Sequence, residues 1–151
     1  MKLNTYGPYI NQELTTASNL NVAGPIENMS IVASAATGTL NMDVTTSTFW
    51  YYTTSATGNF TLNIRGNANS TLNALLATGQ SISLVLLVTN GAAAYYLSAI
   101  NIDGAASTPK WLNGVSPSAG GASGIDAYSL TVVKTENATF SVIASGPSRF
   151  A

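Results

Sequence analysis

Apolar positions along this chain follow a spacing of two for most of its length, and the densest of them lie between Ser81 and Asp103. There Ile82, Leu84, Val85, Leu86, Leu87 and Val88 form a short run, Thr89-Asn90-Gly91 interrupts it, and Tyr95, Tyr96, Leu97, Ile100 and Ile102 form a second. Apolar runs of this length bounded by turn residues read as buried strands. Asn-Gly supplies the positive φ values of a tight turn, so the two runs are expected to pair as an antiparallel hairpin. Elsewhere the alternation is plainer. Leu40, Met42 and Val44 alternate with Asn41, Asp43 and Thr45, and Phe60, Leu62 and Ile64 alternate with Thr61, Asn63 and Arg65. Ile26 to Val32 and the aromatic stretch Phe49-Trp50-Tyr51-Tyr52 add two more candidate strands. Tyr128, Leu130 and Val132 face Phe140, Val142 and Ala144 across Lys134-Thr135-Glu136-Asn137, a second expected hairpin.

One stretch leaves this period. Ser70 or Thr71 is a suitable N-cap, Leu72, Leu75 and Leu76 would share a helical face, and Gly79 fits the position past the end. At most two turns are expected. About eight short strands and one short helix predict an all-β fold, a single jelly-roll-like antiparallel β-sandwich over residues 26–151. Residues 1–25 show neither period and are punctuated by Gly7-Pro8 and Gly24-Pro25. Two readings fit them, a disordered leader and an extended N-terminal attachment arm; the side chains of Tyr6, Tyr9, Ile10 and Leu14 are the anchors that the second would use. Asn113 to Gly124 is rich in Gly and Ser and reads as a surface excursion.

Composition changes the picture at one point. Charged residues make up 7% of the 151-residue chain, against about 25% in an ordinary soluble domain. Ser, Thr and Asn, about a third of the residues, supply the polarity instead. Faces that are polar but nearly uncharged are inexpensive to bury against a neighbour if their hydroxyls and amides find partners. Low charge also removes the usual electrostatic barrier to association. The expectation is a homo-oligomer. The aromatic strand cannot hide both faces inside one sandwich, which places Trp50 or Tyr51 at the contact.

Charge and chemistry otherwise exclude more than they suggest. The five cations are scattered and the net charge is −1, whereas nucleic-acid binding needs clustered cations. Cysteine is absent, so no disulfide is used. No apolar run approaches the length of a membrane helix, and Met1 to Thr5 lead into no apolar segment of a signal peptide. Histidine is absent, which removes His-based catalysis and the commonest zinc ligand. No phosphate-binding glycine motif occurs. The six carboxylates are dispersed; Asp103 and Asp126 could meet in space as a glycosidase pair, but a turn position and a strand start explain them more simply. No enzyme, metal or cofactor is expected. Trp111, beside the Gly/Ser loop, with Tyr95 and Tyr96, forms the candidate glycan contact, against which stands plain core packing of the same rings.

Taken in order, AATGTLNMDV (35–44), YYTTSATGNFTLNIRG (51–66), LNALLATGQSISLVLLVTNGAAAYY (72–96), IDGAASTPKW (102–111), GIDAYSLTVVKT (124–135) and TFSVIASGPSRF (139–150) resemble a module that closes many virion structural proteins of marine bacteriophages, especially cyanophage tail-fibre-like proteins. The resemblance runs from about residue 26 to the end, and ATGQS and YSLTVVKT are its most distinctive parts. It carries no activity and no ligand residues. It implies a virion structural protein assembled in the host cytoplasm, with other capsid or tail proteins as partners, and a homotrimer as the common state. With only a short arm before the module, a surface decoration or fibre-type subunit is expected. The alternative is a carbohydrate-binding receptor module working through a host-surface glycan.

Overall fold

The alternating runs do become strands, and their side chains divide between a shared interior and two outer faces. The computed structural model describes residues 26–151. Its strands are β1 (Met29–Ala35), β2 (Gly38–Asp43), β3 (Phe49–Thr54), β4 (Phe60–Arg65), β5 (Ser81–Asn90), β6 (Leu97–Ile102), β7 (Ala105–Ala106), β8 (Lys110–Trp111), β9 (Gly124–Glu136) and β10 (Thr139–Phe150). They form a six-stranded sheet, β1-β3-β5-β9-β10-β8, and a four-stranded sheet, β2-β4-β6-β7. All-β architecture in two sheets with one short helix is therefore as expected.

Strand direction is not. From β1 to β6 the chain places successive strands in alternate sheets, so that β1, β3 and β5 are parallel neighbours in one sheet and β2, β4 and β6 in the other. The chain is wound like a flattened coil. Its corners stack: Thr57 N–H donates to Ala36 O (3.2 Å) and Ala56 N–H to Thr89 O (2.9 Å). Ala36 and Ala56 are buried at these corners, where a larger side chain would hold the sheets apart. Only the later strands are antiparallel, β5 with β9, β9 with β10 and β6 with β7. This order departs from the antiparallel jelly roll that the short, evenly spaced strands suggested. Alternation reports which residues face inward and carries no information on which strand lies beside which.

The expected 81–103 hairpin is the clearest correction. β5 and β6 lie in different sheets. Neither Asn90 nor Gly91 takes the positive φ that a two-residue hairpin needs. Asn90 is buried instead, and its side chain closes the crossover: Nδ2 donates to Tyr95 O (3.0 Å) and Oδ1 accepts from Tyr95 N–H (3.3 Å). By contrast the β9–β10 hairpin forms, with Val132 opposite Val142 and Leu130 opposite Ala144.

Inward residues of both sheets make one core. Leu40, Met42, Phe60, Leu62, Ile64, Ile100 and Ile102 come from the smaller sheet, and Tyr52, Leu84, Leu86, Val88, Tyr128, Leu130, Val132 and Val142 from the larger. The Tyr128 ring meets Phe60 edge-on at 6.1 Å, and its hydroxyl accepts from Leu97 N–H (3.2 Å), tying the two sheets together.

The helix α1 (Leu72–Leu75) is a single turn, within the two expected at most. Thr71 caps it, its hydroxyl accepting from Ala74 N–H (3.0 Å). Leu72 is buried and Leu76 packs against the core, but Leu75 is 44% exposed, so the three leucines do not share one buried face. Gly79, with φ of +87°, belongs to the turn after the helix, which Gln80 N–H closes onto Ala77 O (3.0 Å).

Candidate functional site

Two outer faces and one groove are the surfaces on which a function could be built, and the two faces differ in kind. On the four-stranded sheet the outward residues are Asn41, Asp43, Thr61, Asn63 and Arg65. Parallel register sets Asn41 beside Asn63 and Asp43 beside Arg65. Asn63 Nδ2 donates to Asn41 Oδ1 (2.8 Å), and Arg65 Nε donates to Asp43 Oδ1 (2.6 Å). Gly104 N–H donates to Asn63 Oδ1 (2.8 Å). Four of these five side chains, Asn41, Asp43, Asn63 and Arg65, partner one another.

The outer face of the six-stranded sheet is divided. Over β1, β3 and β5 it is apolar: register puts Met29, Phe49 and Val85 in one row and Ile31, Tyr51 and Leu87 in the next. Over β9 and β10 it carries hydroxyls, with Ser129 and Thr131 of β9 beside Ser145 and Ile143 of β10. A groove of about 830 Å³ runs along this second half, with Ser83, Ser129 and Thr131 in its lining and Trp111, Leu112 and Lys110 along its side.

Trp50 and Tyr51 separate as period two requires. Trp50 turns inward, packs against the core and donates from Nε1 to Ser47 O (2.8 Å). Tyr51 lies on the apolar outer face, where Thr89 Oγ1 donates to its hydroxyl (3.4 Å). Of this pair only Tyr51 is placed to meet a neighbour. Trp111 stands at the sheet edge, half-buried, packed against the core and open to the groove. Tyr95 and Tyr96 lie in the β5–β6 crossover outside any strand; Tyr95 packs against the core, and Tyr96 N–H donates to Asn59 Oδ1 (3.2 Å). Neither lines the Trp111 groove, so the three aromatics do not converge on one site. The anchors Tyr6, Tyr9, Ile10 and Leu14 lie outside the described residues.

The carboxylates do not converge either. Asp103, just past β6, accepts from Leu72 N–H (2.6 Å) and Asn73 N–H (3.0 Å), holding the start of α1. Asp126 sits at the opposite end of β6, fully buried, its Oδ2 accepting from Asn90 Nδ2 (3.0 Å) and Gly121 N–H (2.8 Å). Its Oδ1 has no hydrogen-bond partner among the described residues, and burial raises the carboxyl above the ordinary aspartate range. A Cβ at Gly121 would stand 2.7 Å from that Oδ1, which is why the Gly/Ser stretch can fold down over Asp126. Among the described residues no group of three His, Cys, Asp or Glu could hold a metal ion, and no helix is long and apolar enough to cross a membrane.

Sequence reasoning did not single out Asn90, Lys134 or the apolar half-face. For the last a signal existed: Phe49, Tyr51, Val85 and Leu87 are apolar at the outward positions of strands whose inward positions are also apolar. No protein-family model matches the chain, and neither the curated proteins nor the solved structures contain a match to it. The molecule is thus defined by its architecture: an all-β, two-sheet protein with one polar face, paired in part by its own side chains, and one divided face.

Proposed function

We propose that this chain is a non-enzymatic structural subunit of a bacteriophage virion, a surface decoration or fibre-type protein in which residues 1–25 attach the β domain to the particle. The observation that carries the reading is the outward apolar surface of Ile31, Phe49, Tyr51, Val85 and Leu87, Ile31 exposed and the others half-buried, on a chain with only 7% charged residues. Such a surface belongs to a protein that assembles. The resemblance of residues 26–151 to the virion module supports the same setting. Copies of the chain associate, as a trimer in the simplest form, with Tyr51 at the contact. Deleting residues 1–24 is expected to leave a folded domain that no longer enters particles, followed by mass spectrometry of purified virions. Unchanged incorporation of the truncated chain would overturn the reading.

The groove favours a second reading, recognition of a host-surface glycan. An indole beside a mostly apolar groove that also carries the hydroxyls of Ser83, Ser129, Thr131 and Ser145 offers a stacking plane and a few hydrogen-bond partners, which sugars use together. Here Trp111→Ala should abolish binding to host cells or a glycan array while the chain stays folded by circular dichroism, at a lower melting temperature because the ring packs against the core. Absence of any glycan binding by the wild-type chain removes this reading.

A further inference from the structure

The apolar half-face over β1, β3 and β5 is left uncovered by the described residues, and we propose that it is the docking site for residues 1–25 of a second copy of this chain. The inference rests on the structural-subunit reading for its setting, and on the edge of the sheet for its geometry. Rows Met29–Phe49–Val85 and Ile31–Tyr51–Leu87 present six adjacent, largely apolar side chains with no charge among them; Ile31 is 61% exposed and the other five are half-buried. Three strands span about 10 Å at the usual strand separation, enough to receive one extended segment but little more. A segment that fits must be weakly charged and offer apolar side chains at intervals, and residues 1–25 carry Tyr6, Tyr9, Ile10, Leu14, Leu20 and Val22 among Asn, Thr and Ser, with only Lys2 and Glu13 charged.

The place where this segment joins the domain favours a neighbouring copy over the chain's own face. β1 is the edge strand of the six-stranded sheet. Ile26, Glu27 and Asn28, immediately before it, are all exposed, Ile26 to 94%. To cover its own patch the chain would have to reverse direction at these three residues, right beside the edge strand. The carbonyl of Asn28 is instead fixed by the Ser47 hydroxyl, which donates to it at 2.7 Å, and holds the chain at the edge. Twenty-five extended residues reach roughly 80 Å, far more than the width of the patch, so the segment can cross to the corresponding patch of a neighbour. Exchange of this kind repeated around a closed ring gives a symmetric oligomer.

The test uses purified protein and is separate from particle incorporation. Residues 26–151 contain both sheets and the whole described core, so the truncated domain is expected to fold; its melting curve checks this. Full-length chain should sediment as an oligomer and the truncated chain as a monomer. A fluorescent peptide of residues 1–25 should bind the truncated domain, at least about tenfold more weakly after Tyr51→Asp with Leu87→Asp, and equally well after Trp111→Ala. The same double substitution in the full-length chain should yield a monomer, and decides the matter if truncation prevents folding. An unchanged oligomer after truncation, or peptide binding indifferent to Tyr51 and Leu87, overturns the proposal. So does a monomeric full-length chain whose patch is protected by its own arm. Because these readouts need no virion, arm exchange can fail while incorporation into particles stands, and the reverse.

Discussion

Asp126 carries its charge where the fold can least support it. The residue is fully buried, with one oxygen held by Asn90 and Gly121 and the other unpartnered among the described residues. Burial is the main cause of its raised pKa, opposed in part by those two donors and by the nearby Arg149. Over the interval between the ordinary value of 3.8 and the higher folded value, the folded protein keeps a proton that the unfolded chain has released. Folding then takes up a proton, so this residue's contribution to stability is fully present below that interval and falls as pH rises through it. Asp126→Asn removes the titration. The melting temperature of wild type relative to this variant is expected to decline as pH is raised above about 4 and then to level off; parallel profiles would show that Asp126 does not titrate this way. Nothing in the sequence around Asp126 announces the burial. The same is true of Asn90, whose Asn-Gly context reads as a hairpin turn because the local pattern cannot show an amide spent on closing a crossover.

At the scale of elements, α1 shows how little local propensity decides. Its four residues are too few to hold a helix alone, and it is secured from outside. Asp103 accepts its first N–H groups, and Lys134 of β9, buried, donates from Nζ to Asn73 O (2.6 Å) and Leu76 O (2.8 Å) at its other end. A carboxylate at the start and an ammonium at the end both complement the peptide dipoles. Lys134→Met keeps the apolar stem and leaves two carbonyls without their donor, so it should lower unfolding free energy by about 1–3 kcal/mol in urea titration. A loss no larger than that of an exposed lysine such as Lys110→Met would contradict this role. The cap at Thr71 was legible because the helical start signal is local. The β9–β10 hairpin was legible for the same reason, its two runs being separated by a short polar turn. Lys134 looked like part of that turn, and only the extension of β9 to Glu136 turns its side chain inward.

Across the whole molecule, the two sheets and the inward residues of nearly every strand follow from alternation, as Leu40, Met42, Phe60, Leu62 and Ile64 show. The parallel winding does not, because pairing partners lie a full coil apart: Met29 meets Phe49, Phe49 meets Val85, and Thr39 meets Thr61. Strand-sized patterns are blind to that distance. The apolar half-face was obscured similarly, since Val85 and Leu87 read as core and the outward residue of the aromatic strand was open between Trp50 and Tyr51, until the register set Phe49, Tyr51, Val85 and Leu87 side by side on the outside. The winding has a consequence of its own for how such a chain can vary. Each coil adds one strand to each sheet and meets only the coil before and the coil after it. The β9–β10 hairpin closes the larger sheet independently, beyond the last coil. A duplicated coil inserted ahead of β1 would therefore widen both sheets by about one strand spacing, roughly 4.8 Å, and leave the groove at Trp111 untouched. The design is a ratchet for growth at one end, in which the β1 side of the molecule can lengthen while its far side keeps its shape.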